Sequence, residues 1–369
     1  MICCPPVRRE VSMSEYSKET DIKNEKKLRE LLRELPPYVS TYMTGVSQLT
    51  ASRTRLAYAY DLRIFFRFLK EKNPRLKNTE IREIPIEVLQ QLNAFDFDDY
   101  MAYLKLHETE TASGKVIEQT NERKGIKRKL SAVRSMYKFL YRRMMIDSNP
   151  SELVDAPKIR RSREIIALDQ EEASDLLSSV ETGNGLTTKM LQYHDKTSLR
   201  DTAIVTLLLG TGIRVSECVG LDIGDVNLKA SQIEIMRKGG KKAFVYIGDA
   251  VEAVLADYLE ERSRMTPEKG SEQALFLSLQ NRRMAVRSVE RLVKKYATVS
   301  VQGKKITPHK LRSSYGTNLY RDTRDLLLTS EALGHENVQT TRDHYVATSN
   351  EMLYAVRNKT LLQDDEDNT

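Results

Sequence analysis

ITPHKLRSSYGTNLYRDTRDLLLTSEALGHENVQTTRDHYV, residues 306–346, gathers cationic donors and a phenol into a small space. Thr307 and Pro308 precede a helical pattern in which His309 and Arg312 stand three apart, and so share one face. Both can point at one anion. An apolar stretch, Leu326, Leu327 and Leu328, leads to Leu333, with Gly334 as a helix stop and His335 just past it. Thr340 and Thr341 then cap a last short helix carrying His344 and Tyr345. Any one of these residues alone reads as an ordinary surface or locally bonded group. Together they suit phosphate chemistry.

Working upstream, residues 205–221, VTLLLGTGIRVSECVGL, read as an apolar helix, a Gly-Thr-Gly break, and Arg214 opening a new helix with Glu217 one turn on. The run Gly-Thr-Gly-Ile-Arg-Val-Ser-Glu, followed by His-x-x-Arg, Leu-Gly-His and Tyr, resembles the catalytic domain of the tyrosine recombinases, the integrase family that includes the Xer proteins. The motifs span roughly residues 165–350; the region before them is similar by helical pattern only. One departure stands out. The family places its tyrosine nine residues after the Leu-Gly-His histidine, whereas Tyr345 is ten after His335 and His344 takes the ninth place. A one-residue insertion between Thr341 and His344 explains the shift, since an imidazole would not form a phosphotyrosine.

The resemblance implies a division of labour. A phosphodiester repels nucleophiles and leaves as a poor alkoxide, so its oxygens must be neutralised and its leaving oxygen protonated. Arg214 and Arg312 suit the first task, because planar guanidinium groups pair their donors with phosphate oxygens and keep their charge. His309 and His335 add donors and can assist proton movement. Tyr345 would be the nucleophile, and Glu217 would orient the cluster. Ile233, Ile235, the Lys238-Gly239-Gly240-Lys241 turn, Phe244, Tyr246 and Ile247 read as a β-hairpin. In the resembled family a lysine at the start of this turn enters the active site, which makes Lys238 the candidate acid for the leaving 5′ oxygen, with Lys241 and Lys242 as rivals on the same turn. This chemistry stores the phosphodiester energy in the enzyme–DNA bond, so no cofactor and no metal are expected. The sequence carries neither a Gly-x-x-x-x-Gly-Lys-Ser/Thr loop nor His-Glu-x-x-His.

With 369 residues the chain can hold two cores. A formal charge of +7 and a pI near 9.0 favour a polyanionic partner without specifying a chemistry. Three cysteines, two of them adjacent at positions 3 and 4, make no disulfide or metal-binding pattern. No apolar run reaches the roughly 18 residues that span a bilayer, and MICCPPVRRE lacks a signal-peptide core. A cytoplasmic, nucleoid-associated protein with no membrane contact is expected.

The resulting fold class is mainly α with a small β-sheet or hairpin in the C-terminal catalytic domain, arranged as a two-domain DNA clamp. Residues 1–22 are expected to be a flexible tail. Residues 23–155 read as a helical core-binding domain, all-helical, with Glu108–Ser113 as a loop. Residues 156–167 read as a basic linker, 168–349 as the catalytic domain, and 350–369 as a C-terminal helix and acidic tail. Thr50 or Ser52 can cap a long helix with Arg53 and Arg55 at its start, and Lys124, Lys127 and Arg128 crowd the first half of another. These five, with Arg160 and Arg161 of the linker, are the candidate DNA-binding residues. Residues 182–198 read as loop.

The family implies a double-stranded DNA recombination site as partner and a homo-tetramer holding two such sites. The C-terminal helix, with Met352, Leu353, Val356 and Leu361 on one face, would dock on a neighbouring protomer. A Xer-like recombinase resolving chromosome dimers is the leading expectation. The alternatives are a phage or transposon integrase, a type IB topoisomerase-like enzyme, and a non-catalytic DNA-binding protein.

Overall fold

The computed structural model describes residues 15–110, 116–158, 167–237, 240–335, 338–339 and 341. Two compact units divide at Arg161/Ser162.

In the first unit, α1 (Glu15–Leu32), α2 (Pro37–Gly45), α3 (Ser52–Lys72), α4 (Glu87–Gln91) and α5 (Ala94–Lys105) lead to the antiparallel hairpin β1 (Leu106–Glu110) and β2 (Val116–Thr120), and α6 (Arg123–Arg142) follows. The apolar stripes meet in one core. Leu62, Phe65 and Phe66 of α3 pack with Phe97 and Tyr100 of α5 and with Leu130, Val133 and Tyr137 of α6. Burying each such side chain contributes about 1.5–3 kcal/mol.

Three features differ from the sequence reading. The helix begins at Glu15, inside the stretch expected to be a tail, because α1 packs on α3 and Ser52 Oγ donates to Asp21 Oδ1 while accepting from Asn24 Nδ2 at 3.1 Å. Ser52 is thereby used between helices, and α3 starts after Ala51 with no side-chain cap. The unit is not all-helical either, since Glu108–Glu110 of the expected loop belong to β1, paired with β2.

In the second unit, α7 (Gln170–Thr182) opens with a capping box in which Asp169 and Glu172 each accept the other's backbone N–H. A short α8 (Thr188–His194) follows where loop was expected. Next come α9 (Ser198–Thr211), α10 (Val215–Gly220), the strands β3 (Val226–Asn227), β4 (Gln232–Met236) and β5 (Lys242–Tyr246), and then α11 (Asp249–Ser263), α12 (Val286–Ser300), α13 (Pro308–Thr323) and α14 (Leu326–Leu333). The expected hairpin is present and has a third strand, in the antiparallel order β3-β4-β5.

Helix α9 is apolar around most of its circumference, and a helix of that kind belongs inside. Ala203, Ile204, Val205, Leu207 and Leu208 are buried as α7, α11 and α13 pack around it. Its one buried carboxylate, Asp201, accepts from Tyr296 Oη at 2.9 Å, Thr197 Oγ1 at 3.1 Å, Arg200 Nη2 at 2.6 Å and Lys295 Nζ at 3.3 Å. Burial and the Asp201 charge push the Tyr296 phenol up. This network fixes the helix whose far end leads to Arg214. No described helix is long and apolar enough to cross a membrane.

Candidate active site

Arg214 stands where α9 ends and α10 begins. Gly212 closes α9 in the left-handed region, with φ +61°, and a Cβ there would come 2.4 Å from the Tyr315 ring. Only glycine fits. Arg214 occupies the N-cap position of α10 and donates twice to Glu217. Its backbone N–H donates to Glu217 Oε2 and its Nη1 to Oε1, both at 2.7 Å. Glu217 is buried while the Arg214 side chain is 38% exposed, so the carboxylate orients the guanidinium from behind. Neighbouring Cys218 is also buried, which pushes its thiol up to about 12 and keeps it protonated.

Arg312 arrives from α13, which Thr307 caps by accepting from the Lys310 N–H. The guanidinium is buried. Nη1 donates to the Gly212 carbonyl at 2.5 Å, and Nη2 donates to the Leu333 carbonyl. His309 lies one turn earlier and is exposed.

The Leu-Gly-His turn completes the arrangement. Gly334 has φ +57°, its N–H donates to the Glu331 carbonyl at 2.8 Å, and the His335 N–H donates to Ser330 at 3.0 Å, the two bonds of a Schellman helix end. His335 leaves that end with Nδ1 2.8 Å from Oγ1 of buried Thr341, which fixes the ring and directs Nε2 the other way. Arg214 Nη2 donates to the Gly334 carbonyl at 3.2 Å. Both arginines therefore meet at the carbonyls just before His335.

Of the residues read from the sequence, Arg214, Glu217, Arg312 and His335 are brought together by these bonds, and His309 is one helical turn from Arg312. Lys238, Tyr345 and His344 lie outside the described residues, as do Arg160 and Arg161. Of the rival lysines, Lys242 Nζ is engaged by Glu234 Oε1 across the sheet, and Lys241 is exposed. Leu327 and Leu328, read as part of an apolar stretch, are exposed, and Leu333 alone of that set is buried.

Two DNA-binding candidates also make ion pairs within the N-terminal unit. Arg128 Nη2 donates to Oδ1 of buried Asp61 at 2.8 Å, and Arg55 pairs with Glu25 while its Nε donates to the Thr50 carbonyl at 3.2 Å. Arg53, Lys124 and Lys127 are exposed. A residue that sequence reasoning missed is Arg237, whose Nη1 and Nη2 donate to the carbonyls of Glu331 and Ala332 at 3.3 and 3.2 Å. Its only signal was adjacency to Lys238.

The sequence profile of the Phage integrase family matches residues 167–352, half of the chain and all of the described site. The chain belongs to that family. The tyrosine recombinase XerC of Caldanaerobacter subterraneus subsp. tengcongensis is 31% identical, over 89% of this chain and 88% of that protein. The tyrosine recombinase XerS of Streptococcus pneumoniae is 30% identical, over 85% and 92%. Among solved structures, the XerH site-specific recombinase bound to palindromic difH substrate, a post-cleavage complex, matches with TM-score 0.61 and 20% identity over 92% of this chain and 90% of that one. A lambda integrase (75–356) dimer bound to a COC′ core site matches with TM-score 0.56 and 14% identity over 83% and 93%. These two share the fold. This tyrosine recombinase is thus a site-specific DNA recombinase that breaks and rejoins strands.

Proposed function

We propose that Arg214 and Arg312 clamp the scissile phosphate, with His309 and His335 donating beside them, while Tyr345 attacks phosphorus. The observation that carries this reading is the meeting of both arginines at the helix end that presents His335. As the Tyr345 Oη–P bond forms, the P–O5′ bond breaks. The phenolic proton passes to a neighbouring base and Lys238 protonates the departing 5′ oxygen, leaving a 3′-phosphotyrosine and a free 5′ hydroxyl. Attack by the 5′ hydroxyl of another strand reverses the step and releases tyrosine, which conserves the bond energy and rejoins DNA. Preorganised cations favour the extra charge of the five-coordinate state more than the ground state, which is where rate is gained.

A double-stranded recombination site would be the partner, with Arg53, Lys124 and Lys127 of the N-terminal unit and the basic residues Arg160 and Arg161 contributing phosphate contacts. A homo-tetramer would hold two sites, with the C-terminal helix of each protomer docked on its neighbour. Similarity to XerC and XerS over most of the chain favours chromosome dimer resolution, in the cytoplasm at the nucleoid, over integration of a mobile element.

Selecting chromosomal fragments bound by the purified protein supplies the site. A supercoiled plasmid with two copies in direct repeat, incubated with the protein in EDTA, is expected to resolve into two circles. Relaxation without resolution would identify a topoisomerase, and binding with neither would identify a DNA-binding protein.

A further inference from the structure

Arg237 closes the turn that carries Lys238. Its N–H donates to the Lys241 carbonyl at 2.8 Å and its own carbonyl accepts from the Gly240 N–H at 3.2 Å. Its side chain leaves the hairpin and reaches the end of α14, 95 residues further along the chain at Ala332. There Nη1 bonds the Glu331 carbonyl and Nη2 the Ala332 carbonyl. The guanidinium lies over Gly334, where a Cβ would come 1.2 Å from Nη1, so the glycine leaves room for it as well as supplying a positive φ. The next two carbonyls, those of Leu333 and Gly334, belong to Arg312 and Arg214. Three arginines therefore hold the last four carbonyls before His335, where the helix dipole is negative.

We infer that Arg237 is a positioning residue, tying the Lys238 turn to the helix end that bears His335 so that proton donor and phosphate clamp form one unit. This rests on Lys238 being the donor to the leaving oxygen, as proposed above. The anchor matters because a hairpin tip is held only by its own ladder, and a misplacement of about 1 Å can cost about 100-fold in rate. The planar fork spans two adjacent carbonyls, whereas a lysine ammonium at the same position is a single point charge. Lys242 Nζ is paired with Glu234 across the sheet.

The test uses single-turnover cleavage of two substrates, one natural and one with sulfur replacing the 5′ bridging oxygen, since a thiolate leaves without a proton. Lys238→Ala should lose on the order of 100-fold or more on oxygen and recover on sulfur. Arg237→Ala should follow it, slower by about 10- to 100-fold on oxygen and within about 3-fold of wild type on sulfur, with Arg237→Lys between. Should Arg237→Ala fail to fold, Arg237→Lys carries the same comparison. Equal slowing on oxygen and sulfur, or no slowing on oxygen, while Lys238→Ala is rescued, overturns the role of Arg237 alone. Failure of sulfur to rescue Lys238→Ala overturns the acid assignment and this inference with it.

Discussion

Replacing Gly212 with alanine is expected to damage both the fold and the chemistry, by amounts the structure allows to be worked out. At φ +61° a non-glycine residue costs about 1–2 kcal/mol. The new Cβ would lie 2.4 Å from Tyr315 Cδ1 and 2.9 Å from Cγ, and these are atoms near the root of a half-buried ring that cannot simply swing away. Overpacking of that kind costs about 1–3 kcal/mol. The sum, about 2–5 kcal/mol, corresponds to a fall of roughly 5–15 °C in Tm for a unit of this size. The Gly212 carbonyl also accepts from Arg312, so displacement at 212 moves the arginine proposed to clamp the phosphate, and single-turnover cleavage should fall about 10-fold or more. Gly224→Ala is the control, because nothing lies within 4 Å of a Cβ there. Calorimetry and cleavage on the same preparations decide the matter. A Gly212→Ala protein that melts with wild type and cleaves at its rate would refute the reasoning.

Other substitutions separate the roles. Arg312→Lys should lose about 100-fold or more in cleavage with little change in DNA affinity, because one ammonium cannot bond the Gly212 and Leu333 carbonyls and still meet a phosphate in the same plane; a gel-shift titration beside the cleavage assay checks it. Arg128→Ala should lower thermal stability more than affinity, since it leaves buried Asp61 without its guanidinium, whereas Lys127→Ala should chiefly reduce the salt dependence of DNA binding. Burial, reinforced by the charge of Lys129, holds the His107 imidazole below its ordinary 6.5. Just below pH 6.5 the unfolded chain thus binds more protons at this site than the folded one, and stability should fall as pH drops from 7 through that window. His107→Gln should flatten the dependence in denaturant titrations run across it.

Much of the molecule was legible because its signals are local. Leu130, Val133 and Tyr137 recur at helical spacing in α6, and all are buried. Asp169 and Thr307 announce helix starts through their own backbone hydrogen bonds. The Gly-Thr-Gly and Leu-Gly-His motifs pointed to Arg214 and His335, and Gly212 and Gly334 of those motifs are left-handed helix ends. What escaped depends on partners far along the chain. The pairing of Arg128 with Asp61, 67 residues away, left no mark in the sequence around either residue. Polar residues 15–22 become helix through packing on α3, a tertiary effect that propensity cannot report. The polar strands LHETE and VIEQT pair with one another but carry too few apolar residues for their alternation to be read. Arg237 touches α14 across 94 and 95 residues, with no pattern near it to say so.

The most direct test of the account is to trap the covalent intermediate. A labelled, nicked recombination site from which the cleaved end diffuses away is incubated with protein in EDTA, and the adduct is resolved on a denaturing gel for wild type, Tyr345→Phe and His344→Ala. Metal-free attack by Tyr345 predicts an adduct in wild type and His344→Ala and none in Tyr345→Phe; an adduct that survives Tyr345→Phe would contradict it.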